Sequence, residues 1–106
     1  MKIPASIPLL GHRITVSIIP TEEWKHGDDC VGIWDPNNHR IELLREYDGT
    51  KLEQAFFHEL FHAALHMMNH KLAVNEVFVD TLSALIHQAL SGATYPKKPR
   101  TKAVSP

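Results

Sequence analysis

The sequence predicts an α+β fold in which a small three-stranded, mostly antiparallel sheet is followed by two packed helices. In the first half, short runs that alternate β-branched and polar residues are separated by turn residues, as expected for strands. Between Thr50 and Ser91 the chain contains neither Gly nor Pro, which favours long helices. With 106 residues, of which 43% are hydrophobic and 22% charged, the chain has the size and composition of one globular domain.

The charges divide the chain into an acidic body and a basic end. The last eleven residues carry four of the eleven Lys and Arg residues and no acid, so the rest has seven basic residues against twelve acidic ones. We therefore expect residues 1–92 to form the domain and residues 93–106 to be a disordered, Pro-rich tail. The acidic body argues against a nucleic-acid partner.

Two further observations concern the cellular compartment. No stretch reaches the roughly 18 uninterrupted apolar residues of a membrane helix, and the N-terminal residues lack the apolar segment of a signal peptide. We therefore expect a cytoplasmic protein without a membrane partner. Cys30 is the only cysteine, which argues against a disulfide framework or a cysteine metal cluster and favours a small packed residue.

Three runs in the first half have the character of strands. Residues 13–19 alternate β-branched residues with polar ones and end at Pro20. Residues 30–34 form a short apolar run, and residues 39–44 alternate again after the turn sequence Asp-Pro-Asn-Asn. The last two runs therefore predict a β-hairpin.

The first helix is predicted to begin at Thr50, which forms a capping-box pattern with Glu53, and to continue to about Met68 or Asn69. One broad apolar face contains Phe56, Leu60, Ala63, Ala64 and Met67. Because Phe57, Phe61 and Met68 widen this face, we expect little of the helix to contact water.

The second helix is predicted to run from Glu76 to about Leu90, with Asn75 as N-cap and Gly92 as its stop. Apolar residues surround most of its wheel. The only break is one narrow polar stripe, which contains Glu76, Asp80, Ser83 and His87. We expect the two acids of this stripe to need a partner, because an unpaired buried carboxylate is very costly.

The first helix contains the sequence His58-Glu59-Leu60-Phe61-His62. Two histidines four residues apart on a helix lie one turn apart, about 6 Å along the axis, so both imidazoles can bind one metal ion. Glu59 lies beside them, where a carboxylate can reach a metal-bound water. This is the HExxH pattern of a zinc-binding helix with a general base. A catalytic zinc site needs a third protein ligand, and Glu76 is the best candidate.

The acidic residues that follow the HExxH sequence resemble those of the gluzincin zinc peptidases. The resemblance implies that Glu76 completes the zinc site and that Asp80 binds the outer nitrogen of His58 and orients its ring. The short separation of the two helices resembles the small ImmA/IrrE-like and phage-encoded peptidase-like proteins of bacteria and phages, and implies a minimal zincin-like domain over about residues 10–91. The metzincin pattern is excluded, because Leu65 and Met68 occupy the positions of its Gly and His.

The expected function is that of a zinc metallopeptidase, a hydrolase that cleaves a peptide or protein substrate with a zinc-bound water activated by Glu59. We expect the substrate to lie antiparallel along an exposed sheet edge, around residues 34–41. The transition-state donor stays open, with Tyr47, His39, His12 and His87 as alternatives. His66 is too far from His58 to share a metal ion on a straight helix and is interpreted as a supporting or packing residue.

Two alternatives accompany this prediction. The chain could be a zinc-binding regulatory or interaction module with little or no intrinsic peptidase activity, or a peptidase whose cleft is completed by a homodimer or protein partner. The other alternative, in which the helices merely pack and the histidines are incidental, would leave Glu59, Glu76 and Asp80 buried without partners.

Overall fold

The computed structural model describes residues 2–45 and 49–97, and within them it has an α+β fold, as predicted. Four strands precede two α-helices: β1 (Ser6–Leu9), β2 (His12–Ile19), β3 (Gly32–Asp35), β4 (Arg40–Leu44), α1 (Gly49–Met67) and α2 (Glu76–Ser91). Two short 3-10 helices cover Thr21–Glu23 and Lys71–Val74. In the part of the chain that the structure describes, neither α-helix combines the length and the apolar character that crossing a bilayer requires.

The sheet has the order β1-β2-β4-β3, with β1/β2 and β3/β4 antiparallel and β2/β4 parallel. The predicted hairpin is confirmed as β3 and β4. The prediction of three strands is wrong, because β1 was missed and the sheet is mixed. β1 is a four-residue edge strand that contains Pro8, and a Pro is tolerated at an edge. Its two-residue turn to β2 places Leu10 and Gly11 at positive φ, a conformation that Leu does not signal in a sequence.

The core lies between one face of the sheet and α1. Ile14, Ile41 and Leu43 are completely buried on the sheet and pack against three residues of α1, Ala55, Phe56 and Phe57. The alternation of β4 supports this arrangement, because Ile41 and Leu43 share the face that points to the helix. This packing fixes which side of α1 remains available to form a site.

The helix boundaries agree with the predictions to within two residues. α1 begins at Gly49 and ends at Met67. α2 begins at Glu76, and the side chain of Asn75 accepts a hydrogen bond of 2.9 Å from the amide of Phe78, as an N-cap does. α2 ends at Ser91, and the amide of Gly92 donates to the carbonyl of Gln88.

The burial of α2 differs from the prediction. Its buried residues are Val79, Ser83 and His87, whereas Val77 is 77% exposed. The prediction that both acids of the polar stripe are buried is wrong, because the side chains of Glu76 and Asp80 are 71% and 78% exposed. α2 packs on α1 along one side only, and the helical wheel does not reveal how many neighbours a helix has.

Candidate metal centre and cleft

An open cleft of about 820 Å³ lies between α1, strand β3 and the start of α2. α1 contributes His58, Glu59 and His62, which occupy the side of the helix that the core leaves free. The 3-10 helix Lys71–Val74 and the first turns of α2, which include Glu76 and Asp80, form the opposite wall. The HExxH residues therefore line a cleft that is open to solvent.

Three side-chain atoms converge in this cleft. The Nε2 atoms of His58 and His62 lie 3.1 Å apart, and Oε1 of Glu76 lies 3.0 Å from the first and 3.2 Å from the second. Neighbouring ligand atoms of a tetrahedral zinc ion, at about 2.0–2.1 Å from the metal, are about 3.3 Å apart. The spacing of these three atoms therefore fits three corners of a zinc tetrahedron, and they are the group best placed to hold a metal in the described residues.

The other ring nitrogen of each histidine lies near an oxygen atom. Nδ1 of His62 donates to the carbonyl of Ala73 at 2.7 Å, and Nδ1 of His58 lies 3.4 Å from Oδ1 of Asp80. If each ring is neutral with its proton on Nδ1, both Nε2 lone pairs are directed toward Glu76, whereas a protonated ring donates from Nε2 to the carboxylate of Glu76. Three lone pairs facing one another need a cation or a shared proton between them. Asp80 thus lies beside the ring of His58.

The electrostatics of Glu76 reflect the same convergence. Burial acts to raise the pKa of its carboxyl, but the hydrogen bond and charge of His62, and then those of His58, hold this pKa below its ordinary value. Glu76 therefore remains ionised beside the two imidazoles and can act as an anionic ligand.

Glu59 has a different environment. It is 8% exposed, and no hydrogen bond to its carboxylate is formed by residues 2–45 and 49–97. Burial raises its pKa, while the nearby His58 and His62 act to lower it. Gly32 of β3 packs directly against it, since a Cβ on Gly32 would lie 3.1 Å from Cγ of Glu59. Glu59 is thus a buried carboxyl beside the cleft whose oxygens are available to water.

Comparison of the chain with protein-family models, with curated proteins and with solved structures finds no match in any of the three. The geometry of the site is therefore the basis for the function proposed below.

The four residues considered as transition-state donors, and the supporting residue His66, differ in their position relative to the cleft. Tyr47 lies outside the described residues. His66 is exposed and lines the cleft, but it does not belong to the converging group. His12 and His39 do not line the cleft, and their rings contact each other at 4.7 Å. His87 is buried against the ring of Phe57 and donates to Glu53 at 2.8 Å, which excludes it from the cleft.

The sequence analysis did not predict that β3 forms one wall of the cleft. Of the residues of β3, it placed only Trp34 and Asp35 in the segment expected to contact a substrate. Gly32 and Cys30 line this wall, and Cys30 is half-buried with its thiol donating to the carbonyl of Gly32 at 3.1 Å. Burial raises the pKa of the Cys30 thiol. A glycine inside a strand often marks a close approach to another group, and this signal could have indicated Gly32. The prediction that residues 34–41 lie at an exposed sheet edge is partly correct: β3 is an edge strand, whereas β4 is internal.

Proposed function

We propose that this chain is a zinc-dependent peptidase of the gluzincin type, in which His58, His62 and Glu76 bind zinc and Glu59 is the general base. The observation that carries the proposal is the convergence of two Nε2 atoms and one carboxylate oxygen at 3.0–3.2 Å. Asp80 is the residue that orients His58. Of the predicted basic tail, residues 98–106 lie outside the described residues.

A bound zinc ion lowers the pKa of water and polarises the scissile carbonyl. Glu59 takes a proton from the attacking water and returns it to the leaving amine, a role that needs a carboxylate within hydrogen-bond reach of that water. The burial that raises the pKa of Glu59 makes it a stronger base than an exposed carboxylate. Gly32 keeps this base close to β3, since no side chain separates them.

The substrate would be an extended peptide that pairs with β3. The amide of Leu44 donates to the carbonyl of Val31, so alternate residues of the β3 segment turn their polar groups toward β4. Gly32 and Trp34 therefore direct their N–H and C=O groups to the free edge, where a peptide can add as a further strand. The thiol of Cys30 is a weak donor to Gly32 and is readily displaced.

One observation favours the second candidate, a zinc-binding interaction module with little hydrolysis. The side of α2 that faces away from α1 exposes Val77 and Leu85, and Val74 is exposed in the turn before the helix. Such a surface suits a protein partner or a second copy of the chain. Val74 also lines the cleft, so a partner on this side would extend the cleft wall.

Metal content and hydrolysis of a casein substrate, measured on wild type, Glu76→Ala and Glu59→Gln, separate these candidates. We expect about one zinc per chain in wild type and Glu59→Gln, loss of zinc in Glu76→Ala, and hydrolysis by wild type alone. The matched control is Glu22→Ala, an exposed acid outside the cleft. Zinc binding without hydrolysis would favour the interaction module, and carefully prepared wild type without zinc would refute both candidates.

A further inference from the structure

The cleft has an aromatic end that the proposed reaction does not use. Trp34 of β3 lies there with its indole parallel to the ring of His39, at 6.3 Å and 3°, and with the ring of His66 on α1 at 6.2 Å and 64°. Trp34 and His66 both line the cleft, and Pro36 continues the wall beyond them. The ring of His39, just before β4, and the ring of His66, on α1, thus both lie against the indole.

The indole nitrogen of Trp34 is buried and has no hydrogen-bond partner in the part of the chain that the structure describes. An indole N–H normally finds an acceptor when it is buried, so its lack of one means that no carboxylate or carbonyl oxygen is within reach. This end of the cleft therefore differs from the metal-binding centre, where three polar side chains converge.

The position of the aromatic end of the cleft relative to Glu59 follows from the direction of β3. Gly32 is in contact with Glu59, and Trp34, two residues further along the strand, is beside His66, seven residues further along α1. Strand and helix therefore run in the same direction along the cleft. His66 is one turn beyond His62, about 6 Å along the helix axis, so the aromatic end begins next to the candidate metal centre.

The register of an added strand then identifies which peptide side chain meets the indole. Residues directly opposite each other on paired strands place their side chains on the same face, about 5 Å apart. Trp34 pairs with the buried Ile41 on the face toward α1, so a peptide residue opposite Trp34 would also point toward α1 and His66. In an antiparallel peptide, this residue lies two positions N-terminal to the residue opposite Gly32.

We propose that Trp34 and His66 form a subsite that binds a large apolar, preferably aromatic, side chain on the N-terminal side of the scissile bond. This inference rests on the proposed function for the placement of the peptide. An aromatic ring in this subsite contacts the indole face and the edge of the imidazole, which aromatic pairs favour beyond the area that they bury. The substrate class is therefore an extended peptide with an aromatic residue shortly before the cleaved bond.

The test measures binding first and cleavage second. The binding protein is the full chain with Glu59→Gln, loaded with zinc, and the probes are labelled Ala/Ser peptides of eight residues with a single Phe at each position in turn. Fluorescence anisotropy gives the affinity of each peptide. We expect one Phe position to bind about tenfold more tightly than the peptide with Ala there. In His66→Ala, and separately in Trp34→Leu, this ratio should fall to about one.

The controls keep the test informative. His66 is exposed, so its removal should not unfold the chain even if Trp34→Leu does. His26→Ala is the matched control, because His26 is an exposed histidine outside the cleft that does not contact Trp34, His39 or His66, and it should keep the full Phe preference. An unchanged preference in His66→Ala and in folded Trp34→Leu, or no Phe preference at any position, would overturn the subsite.

Cleavage of the same peptides by the wild-type zinc protein separates the two proposals. Mass spectrometry of the products should place the preferred Phe N-terminal to the cleaved bond, and Phe on its C-terminal side would contradict the subsite. Selective binding of the Phe peptide without cleavage by wild type would refute the peptidase while leaving the subsite in place.

Discussion

Two histidine–glutamate clusters join α1 to α2, and they differ in what they can do. In the cleft cluster, His58 of α1 lies 3.0 Å from Glu76 of α2, and in the closed cluster, His87 of α2 lies 2.8 Å from Glu53 of α1. The distances are alike. The side chains of His87 and Glu53 are only 6% and 15% exposed, whereas that of Glu76 is 71% exposed.

The hydrogen bonds explain the difference. In the closed cluster one ring nitrogen donates to one carboxylate, so the pair satisfies itself, and Oγ of Ser91 lies 3.2 Å from the same nitrogen. In the cleft cluster Nδ1 of His62 donates to Ala73, Nδ1 of His58 lies 3.4 Å from Asp80, and both Nε2 atoms lie within 3.2 Å of the same oxygen of Glu76. A short His–Glu distance therefore indicates a metal site only where several lone pairs converge in an accessible place.

The largest effect is expected for Glu59→Gln, which should lower catalytic activity without changing zinc binding. Glu59→Gln should lower kcat/KM by about 10²- to 10⁴-fold, because the general base is lost while the ligands remain. Zinc content should be unchanged. Steady-state assays on peptides, with Glu22→Gln as the control, measure this loss, and full activity in Glu59→Gln would assign the proton transfer to another group.

Removal of zinc should destabilise the protein through the cleft cluster only. At a free zinc concentration 100 times the dissociation constant, binding to the folded state contributes about 2.7 kcal/mol to the free energy of unfolding. We expect a chelator to lower the Tm of wild type and of His87→Gln, and to leave that of Glu76→Ala unchanged. Equal shifts in all three proteins would mean that zinc binds elsewhere.

Asp80→Asn tests the carboxylate beside the cleft cluster. Loss of the negative acceptor for Nδ1 of His58 should weaken zinc affinity about 10- to 100-fold, as for other carboxylates that orient metal-binding histidines. Competition with a chromogenic zinc chelator gives the affinity. Thr81→Asn, the next residue along the helix, is exposed and lies outside the cleft, and should bind zinc as wild type does.

The closed cluster should affect stability and not metal binding. His87→Ala removes a buried imidazole, its contact with Phe57 and its hydrogen bond to Glu53, and should lower the free energy of unfolding by about 1–3 kcal/mol. Urea denaturation measures this change. A large loss of zinc affinity in folded His87→Ala would contradict the separation of the two clusters.

The smallest expected effect is the loss, at acid pH, of the stability that Glu53 contributes. The hydrogen bond from His87 holds the pKa of Glu53 below its ordinary value. A carboxyl with a lowered pKa in the folded state stabilises the fold above its ordinary pKa, and this contribution disappears as the pH falls through the lowered value. We therefore expect the Tm of Glu53→Gln to be below that of wild type near neutral pH and the two values to approach each other below about pH 4. A constant difference at all pH values would exclude this titration.

The two helices, the Asn75 N-cap and the histidine pair could be predicted from the sequence because they depend on neighbours within a few residues. Asn75 caps α2, and His58 and His62 lie one turn apart, wherever α1 packs. The same holds for the β3/β4 hairpin, whose turn follows from its Asp-Pro-Asn-Asn sequence.

The rest was decided by the tertiary structure, because it depends on groups that are distant in sequence. The parallel pairing of β2 with β4 places β3 at the edge of the sheet and brings Gly32 against Glu59. Because β2 and β4 are distant in sequence, no local sequence pattern predicts their pairing. The helical wheel placed Asp80 and His87 on one stripe, yet packing against α1 buries His87 and leaves Asp80 in water. Periodicity in a sequence describes the faces of a helix, whereas burial is set by the elements that cover them.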